Sequence, residues 1–430
     1  MSDTSITSDE AVVDGKDLKQ RLAQAERRNK IRAFSLVLPL LIFISFTFLA
    51  PIGYIMGKSF FNDRVSSLLP ETIIALKDWT PSSADDTPPV SAFNALARDI
   101  TAARKAQDLG KLATRLNYDR SGMRSLVMKS GRKASKLLKK DQPPADWKQA
   151  LIKIDKRWGK RDYWTAIKNT SSPWTLAFYL KAIDYRYDWN KDIVPVKESV
   201  QLYWLNGWDS VWVRTMWISF LVTFFCVLLG YPVAYLLANL PMRLSNLLMI
   251  LVLLPFWTSL LVRTTSWIVV LQSEGVLNDI LIFMGIIDER IQLIFNRFGV
   301  IVAMTHILLP FMILPIYSVM KNISPTYMRA ARSMGAHPAY AFWRVYFPQS
   351  LPGIGAGTLL VFILALGYYI TPALVGGPKD QLVSYFIADH TNRSLNWSLA
   401  SALGGILLVW VLGCYVLYDK VVGIDNMKMG

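Results

Sequence analysis

Six stretches of this chain stay apolar over lengths that match a lipid bilayer: 33–56, 211–238, 247–271, 299–320, 353–375 and 399–422. Crossing the hydrocarbon takes about 20 predominantly apolar residues as a helix. Backbone facing lipid finds no water to bond, so an open sheet or a loop there would leave polar groups unpaired. The pattern therefore predicts an all-α integral membrane protein with six transmembrane helices. Hydrophobic residues make up 53% of the chain, and it is their grouping into blocks that carries the argument. The two cysteines, Cys226 and Cys414, fall inside blocks and read as small packing residues, with neither a disulfide nor a metal site expected.

The net charge of +16 first suggests nucleic acid, but its distribution argues against that. One basic group, Lys16, Lys19, Arg21, Arg27, Arg28, Lys30 and Arg32, precedes the first block, and the larger share lies in a long polar insertion. No reader of bases is recognisable. Basic residues before the first block place the N-terminus in the cytoplasm, and six crossings return the C-terminus there, with Lys420 and Lys428 in agreement. The insertion then lies outside despite its charge, because long loops translocate largely regardless of it. The first block is too long for an ordinary signal peptide and lacks a small-x-small cleavage site, so it reads as an uncleaved anchor. The expected organisation is a cytoplasmic tail 1–32, a first transmembrane helix 33–58, an extracytoplasmic insertion 59–207, a five-helix core 208–422 with a cytoplasmic loop 321–352, and a tail 423–430.

Residues 1–14 read as disordered and 15–32 as a basic surface helix. In the insertion, Leu109, Leu112 and Leu116 recur at helical spacing, as do Leu137 and Leu138 near Val127. Trp147, Trp158, Trp164, Trp174 and Trp189 are candidates for its core. A small helical domain is predicted. The lysine-rich run 129–140 reads as a solvated face, with an acidic partner or anionic headgroups as the sharper reading.

Driving transport requires either a nucleotide site or a relay of ionisable groups. Gly57-Lys58-Ser59 has the end of a phosphate-binding loop, but Ile52 stands where its first glycine belongs. The block interiors hold essentially no Asp or Glu, which speaks against an ion-coupled carrier. Arg263 and His306 are the main ionisable residues there. The histidine reads as a structural hydrogen-bonder ahead of a proton shuttle. The arginine faces the bundle interior or a wet path, or else snorkels to the interface. His306, His337 and His390 lie in different regions, and no zinc-protease or nucleophile-elbow motif occurs. No catalytic residues, cofactor or metal are expected, and the chain reads as a non-enzyme.

The loop 321–352 is the most informative polar segment. Ser324 can cap a helix whose first turn holds Pro325; Ala330 and Ala331 propagate it, and Gly335 ends it. Pro338 starts a second helix with Phe342, Trp343 and Val345 on its apolar side, and Pro348 and Pro352 are expected to stop it before the fifth block. Small residues exposed on a cytoplasmic helix suit close approach by another protein.

Here the chain resembles a known family. Arg329-Ala330-Ala331, three residues, Gly335, nine residues, then Val345-Tyr346-Phe347-Pro348 is similar to the EAA loop, E-A-A-x3-G-x9-I-x-L-P, of inner-membrane permeases of binding-protein-dependent ABC importers. Arg329 stands where the family has Glu. Leu254-Pro255-Phe256-Trp257-Thr258-Ser259, Gly230-Tyr231-Pro232, Leu309-Pro310-Phe311 and Thr371-Pro372-Ala373 resemble the polyamine (spermidine/putrescine) subgroup. The resemblance implies a type I importer fold in the bacterial inner membrane. It implies as partners cytoplasmic ATPase subunits, a second permease subunit in a hetero- or homodimer, an extracytoplasmic substrate-binding protein and membrane lipid, but no nucleic acid. It implies that Arg329, Ala330, Ala331, Gly335, Ala336, Pro338, Val345 and Pro348 form the ATPase-coupling loop. A polyamine cargo would meet aromatic faces along a path through Trp257, Arg263, Trp267, His306, Tyr368 and Tyr369. The rival readings are a permease for another small solute (an opine, an amino-acid derivative or ferric ion), a secondary carrier, or a membrane scaffold.

Overall fold

The computed structural model describes residues 15–422 except 82, 84, 85, 139–143, 145 and 197–201. Residues 1–14 of the expected N-terminal tail, the expected tail 423–430 and the end of the lysine-rich run lie outside the described residues. The chain divides into two units, Met1–Gly57 and Lys58–Gly430.

In the first unit the basic segment and the first apolar block are one helical run, not a surface helix followed by a span. Helix α1 is Gly15–Ile44, a π turn covers Ser45–Leu49, and α2, Ala50–Phe60, continues beyond it. Pro51 has no N–H to give to the preceding turn, and the widened π turn just before it absorbs the mismatch without ending the helix.

The second unit opens with the insertion, and it is largely helical: α3 (Arg64–Leu68), α4 (Pro70–Leu76), α5 (Val90–Lys105), α6 (Leu109–Asp119), α7 (Met123–Leu138), α8 (Trp147–Ile154), α9 (Arg161–Asn169) and α10 (Ala177–Ala182). A short antiparallel hairpin, β1 (Tyr185–Tyr187) with β2 (Ile193–Pro195), was not expected. Leu109, Leu112, Leu116 and Val127 are buried in one core with Trp158 and Trp164, whose rings lie 5.1 Å apart. Each indole finds an acceptor, Ser130 Oγ at 2.8 Å and the Trp158 carbonyl at 2.9 Å, as burial of its N–H requires. Trp174 does not join this core; it is 68% exposed. Trp189 lies under the Arg161 guanidinium, 5.0 Å from its ring.

The core's fold is further pinned by Asp155, which accepts hydrogen bonds from Arg157 at 3.0 Å and from Lys129 at 3.0 Å. The Arg157 bonds, aided by Lys129, hold this carboxyl well below its ordinary value of 3.8. A carboxyl depressed in the folded state stabilises above the unfolded pKa and loses that contribution as pH falls through it toward the folded value. Asp155→Asn is therefore expected to lower the melting temperature of the purified chain near neutral pH. The gap from wild type should close progressively below about pH 4. A gap that is constant across that range would refute the assignment.

The rest of the second unit is the helical bundle: α11 (Val211–Asn239), α12 (Met242–Leu253), α13 (Leu260–Leu271), α14 (Val276–Phe283), α15 (Arg297–Lys321), α16 (Pro325–Ser333), α17 (Pro338–Ala341), α18 (Phe347–Gly367), α19 (Ile370–Val375), α20 (Val383–Asn392) and α21 (Trp397–Val422). Among the described residues, six helical stretches are long and apolar enough to cross a membrane, as the sequence predicts. Their boundaries correct three expectations. The third block is not one helix: a 3-10 turn at Leu254–Trp257 follows α12, Thr258 and Ser259 turn extended, and the spanning stretch is Leu260–Phe283. Pro255 removes a backbone donor there, and the Thr258 hydroxyl caps its carbonyl at 2.9 Å. The fifth block breaks at Tyr368 and Tyr369, between α18 and α19. Pro348 and Pro352 do not stop the second loop helix. The run from Pro338 to Gly367 stays helical through a π turn at Phe342–Tyr346, placed before Pro348 just as the first unit's π turn is placed before Pro51.

Helix α15 sits between α11 and α18. Lipid tails are as apolar as leucine, so close van der Waals packing must hold such helices together, and small residues allow it. A Cβ on Gly357 would stand 2.8 Å from Met312 Sδ and 3.1 Å from the Met312 carbonyl; one on Gly353 would stand 3.0 Å from the Ile316 backbone. The insertion is tied to the bundle by Trp212, whose indole donates to the Ala182 carbonyl at 3.0 Å, by Tyr118 to the Ser394 carbonyl and by Asn62 to Ser398. Buried Asp184 accepts the backbone amides of Tyr203, Trp204 and Leu205, fixing the entry into α11.

Candidate functional site

Two places collect the residues that the sequence singles out. The first is the loop between α15 and α18. Ser324 caps α16 by accepting the Thr326 amide, and Pro325 occupies the first turn, where its missing N–H costs nothing. The helix ends on Gly335 at φ +88, with the Gly335 amide on the Arg332 carbonyl and the Ala336 amide on the Ala331 carbonyl. This is a left-handed C-terminal cap, a conformation that glycine enters without Cβ strain. His337 then caps α17, with Pro338 in its first turn.

The two alanines divide. Ala330 is exposed with Arg329, but Ala331 is buried in the seam with Ala341 and Tyr346. The expectation that both small residues face outward is corrected: a helix as short as α16 must bury one stripe against the chain that returns beside it. An open groove of about 650 Å³ is lined by Ala331, Met334, Gly335, Ala336, His337, Tyr340, Ala341 and Val345. Met334 is 83% exposed at its rim. Pro348 lies past the groove, exposed in the first turn of α18.

An aromatic collar, which the sequence reading missed, fastens this loop to the bundle. Tyr235 of α11 packs edge-on to Phe342 at 5.6 Å and to Tyr346 at 5.3 Å, and Tyr231 lies 5.8 Å from Phe347. The Tyr231 hydroxyl pairs with Ser350 at 3.2 Å. The available signal was the four-residue spacing of Tyr231 and Tyr235, which puts both rings on one helix face. The collar thus joins the π turn Phe342–Tyr346 and the start of α18 to α11.

The second place is the break before α13. Trp267 donates its indole N–H to His306 Nδ1 at 3.1 Å, the rings 5.4 Å apart. With Arg263, Leu254, Pro255, Thr258, Val262, Ser266 and Val270 they line a pocket of about 300 Å³. Arg263 Nε is buried without a hydrogen-bond partner among the described residues. Thr264 meets Thr371 at 3.2 Å between hydroxyls, joining α13 to α19. The structure thus brings Arg263, Trp267 and His306 together. Trp257 is 76% exposed and outside the pocket. Tyr369 is also exposed, and Tyr368 packs against the α11–α15–α18 core. Broken helices whose freed backbone borders a cavity are a recurring way of building a solute site within a membrane protein.

A bundle of spanning helices, two of them interrupted, with a capped loop fastened to its interior, is the architecture of a membrane permease. The family described as "Binding-protein-dependent transport system inner membrane component" matches residues 227–418, and the chain belongs to it: it is a permease subunit of an ABC importer, a multi-pass inner-membrane transport component and not an enzyme. The spermidine/putrescine transport system permease protein PotB of Haemophilus influenzae is 36% identical over 50% of this chain and 76% of that protein. PotB of Escherichia coli K12 is 35% identical over 48% and 75%. The inner membrane ABC transporter permease protein YdcU of E. coli K12 is 30% identical over 49% and 70%.

Proposed function

We propose that this permease forms half of a translocation path for polyamines, spermidine or putrescine, together with a second permease subunit. Two cytoplasmic ATPase subunits drive it, and an extracytoplasmic binding protein delivers cargo. The N- and C-termini and the loop around Gly335 face the cytoplasm, and the insertion faces outward. The likeness to permeases named for spermidine and putrescine, over about three quarters of their length, carries the cargo assignment. Closure of the ATPases pushes the knuckle at Ala330–Gly335, and the aromatic collar passes that movement to α11 and α18. The spans then switch between two packings biased by nucleotide.

Trp267 offers a π face to an ammonium group, a contact that contributes about 0.5–2 kcal/mol. Weak contacts suit a solute that must leave again. Trp267→Ala is expected to raise the half-saturating spermidine concentration by about two- to thirtyfold in uptake assays on reconstituted importer. An unchanged value would remove Trp267 from the path.

Arg263 favours a second reading. A guanidinium beside the pocket that pairs with no carboxylate among the described residues repels an amine and attracts a carboxylate, as an opine or amino-acid derivative would present. Arg263→Leu separates the two. If polyamine is the cargo, spermidine uptake persists or rises. If a carboxylate is held there, uptake of that solute falls by about tenfold or more, the loss of a hydrogen bond to a charged group.

A further inference from the structure

The insertion lies outside the region that matches the family, and it carries a surface that the permease function does not explain. Helix α7 buries Met123, Leu126, Val127, Ser130, Gly131 and Ala134. Its exposed side holds Lys129, Arg132, Lys133 and Lys136, spaced i, i+3, i+4 and i+7, which makes one continuous basic stripe. Like charges three and four residues apart on a helix repel and destabilise it by a few tenths of a kcal/mol per pair. Among the described residues only part of that cost is offset. Lys129 pairs with Asp155 at 3.0 Å, but among the described residues Arg132, Lys133 and Lys136 pair with no carboxylate. No Asp or Glu occurs from residue 120 to 138. Exposed Lys105, Lys153 and Lys156 lie on the neighbouring elements, and α7 packs against α5 and α8.

We propose that this stripe is a docking surface for an acidic face of a soluble protein, namely the cargo-delivering binding protein. This rests on the importer reading above. The ligand is not the cargo, because a polyamine carries the same sign of charge as the stripe. The insertion's contacts with the bundle include Asn62 to Ser398, Tyr118 to Ser394, Ala182 to Trp212 and Tyr203 to His390. Helix α7 contributes none of these, so its basic side is left for a partner arriving from solvent. Complementary charge of this kind steers encounter and sets orientation, and it weakens with salt.

The test uses the complete importer in discs of neutral phosphatidylcholine, titrated with spermidine-loaded binding protein, with ATPase stimulation as the readout. The combined variant Arg132→Glu, Lys133→Glu, Lys136→Glu changes only exposed side chains. It should raise the half-saturating binding-protein concentration by about tenfold at low salt, with unchanged maximal stimulation and a difference that shrinks at high salt. The Gln counterpart at the same positions should fall between. Equal half-saturation and equal salt slope in variant and wild type would overturn the proposal. So would unchanged half-saturation together with lost flotation on phosphatidylglycerol vesicles, which would assign the stripe to anionic headgroups. If wild type shows no stimulation by spermidine-loaded binding protein, the polyamine reading itself fails, a result distinct from a variant that merely matches an active wild type.

Discussion

A Gly335→Trp variant is expected to reach the membrane in normal amount and to transport nothing. The residue sits at φ +88, where an L side chain costs about 1 kcal/mol, a local strain at the end of a short exposed helix. Inside the chain there is room, since a Cβ at this position would meet nothing within 4 Å. The bundle therefore has no reason to unfold. What the indole fills is the rim of the groove beside Met334 and Tyr340, the surface proposed to receive the ATPase. Uptake should be abolished while basal ATP hydrolysis of the assembly is lost or uncoupled from cargo. Gly335→Ala, which adds strain with little bulk, should retain part of the activity and so separate the two causes. Normal uptake by a well-expressed Gly335→Trp importer would end the lever hypothesis. Ala331→Asp is a poorer probe of docking, because Ala331 is 6% exposed in the seam and a carboxylate there disturbs the loop's own packing.

Gly357→Leu is expected to act in the opposite way, destroying the bundle before any question of coupling arises. The contact is with the Met312 backbone as well as its sulfur, so α15 and α18 must move apart rather than one side chain yielding. Overpacking of this kind costs about 1–3 kcal/mol, and more where backbone must shift. The variant should yield little folded protein after extraction and melt well below wild type, with Gly357→Ala milder. Adding Met312→Ala removes the sulfur clash but not the carbonyl contact at 3.1 Å, so it should rescue Gly357→Leu only in part. Full rescue, or a melting temperature equal to wild type in the single variant, would show that α15–α18 packing is not limiting.

The local parts of this protein were legible in its residues. Apolar blocks of bilayer length predict spans because lipid leaves no other way to pair the backbone. Ser324, Pro325 and Gly335 predict the ends of α16 because caps answer to groups within four residues of chain. The leucine spacing and the five tryptophans predict a helical insertion with an aromatic core, which Trp147, Trp158 and Trp164 join and Trp174 does not. Tertiary structure decided the rest. A proline announces a missing donor, but only its surroundings choose between the 3-10 break at Pro255 and the π turn before Pro348. Helical periodicity puts Ala330 and Ala331 side by side, but only the returning strand of chain chooses which one is buried. Arg263, Trp267 and His306 meet across two helices, and Tyr235 meets Tyr346 across more than a hundred residues. Capping and burial are local or statistical properties of a segment, whereas which faces touch depends on how whole helices pack, and that is a property of the folded bundle alone.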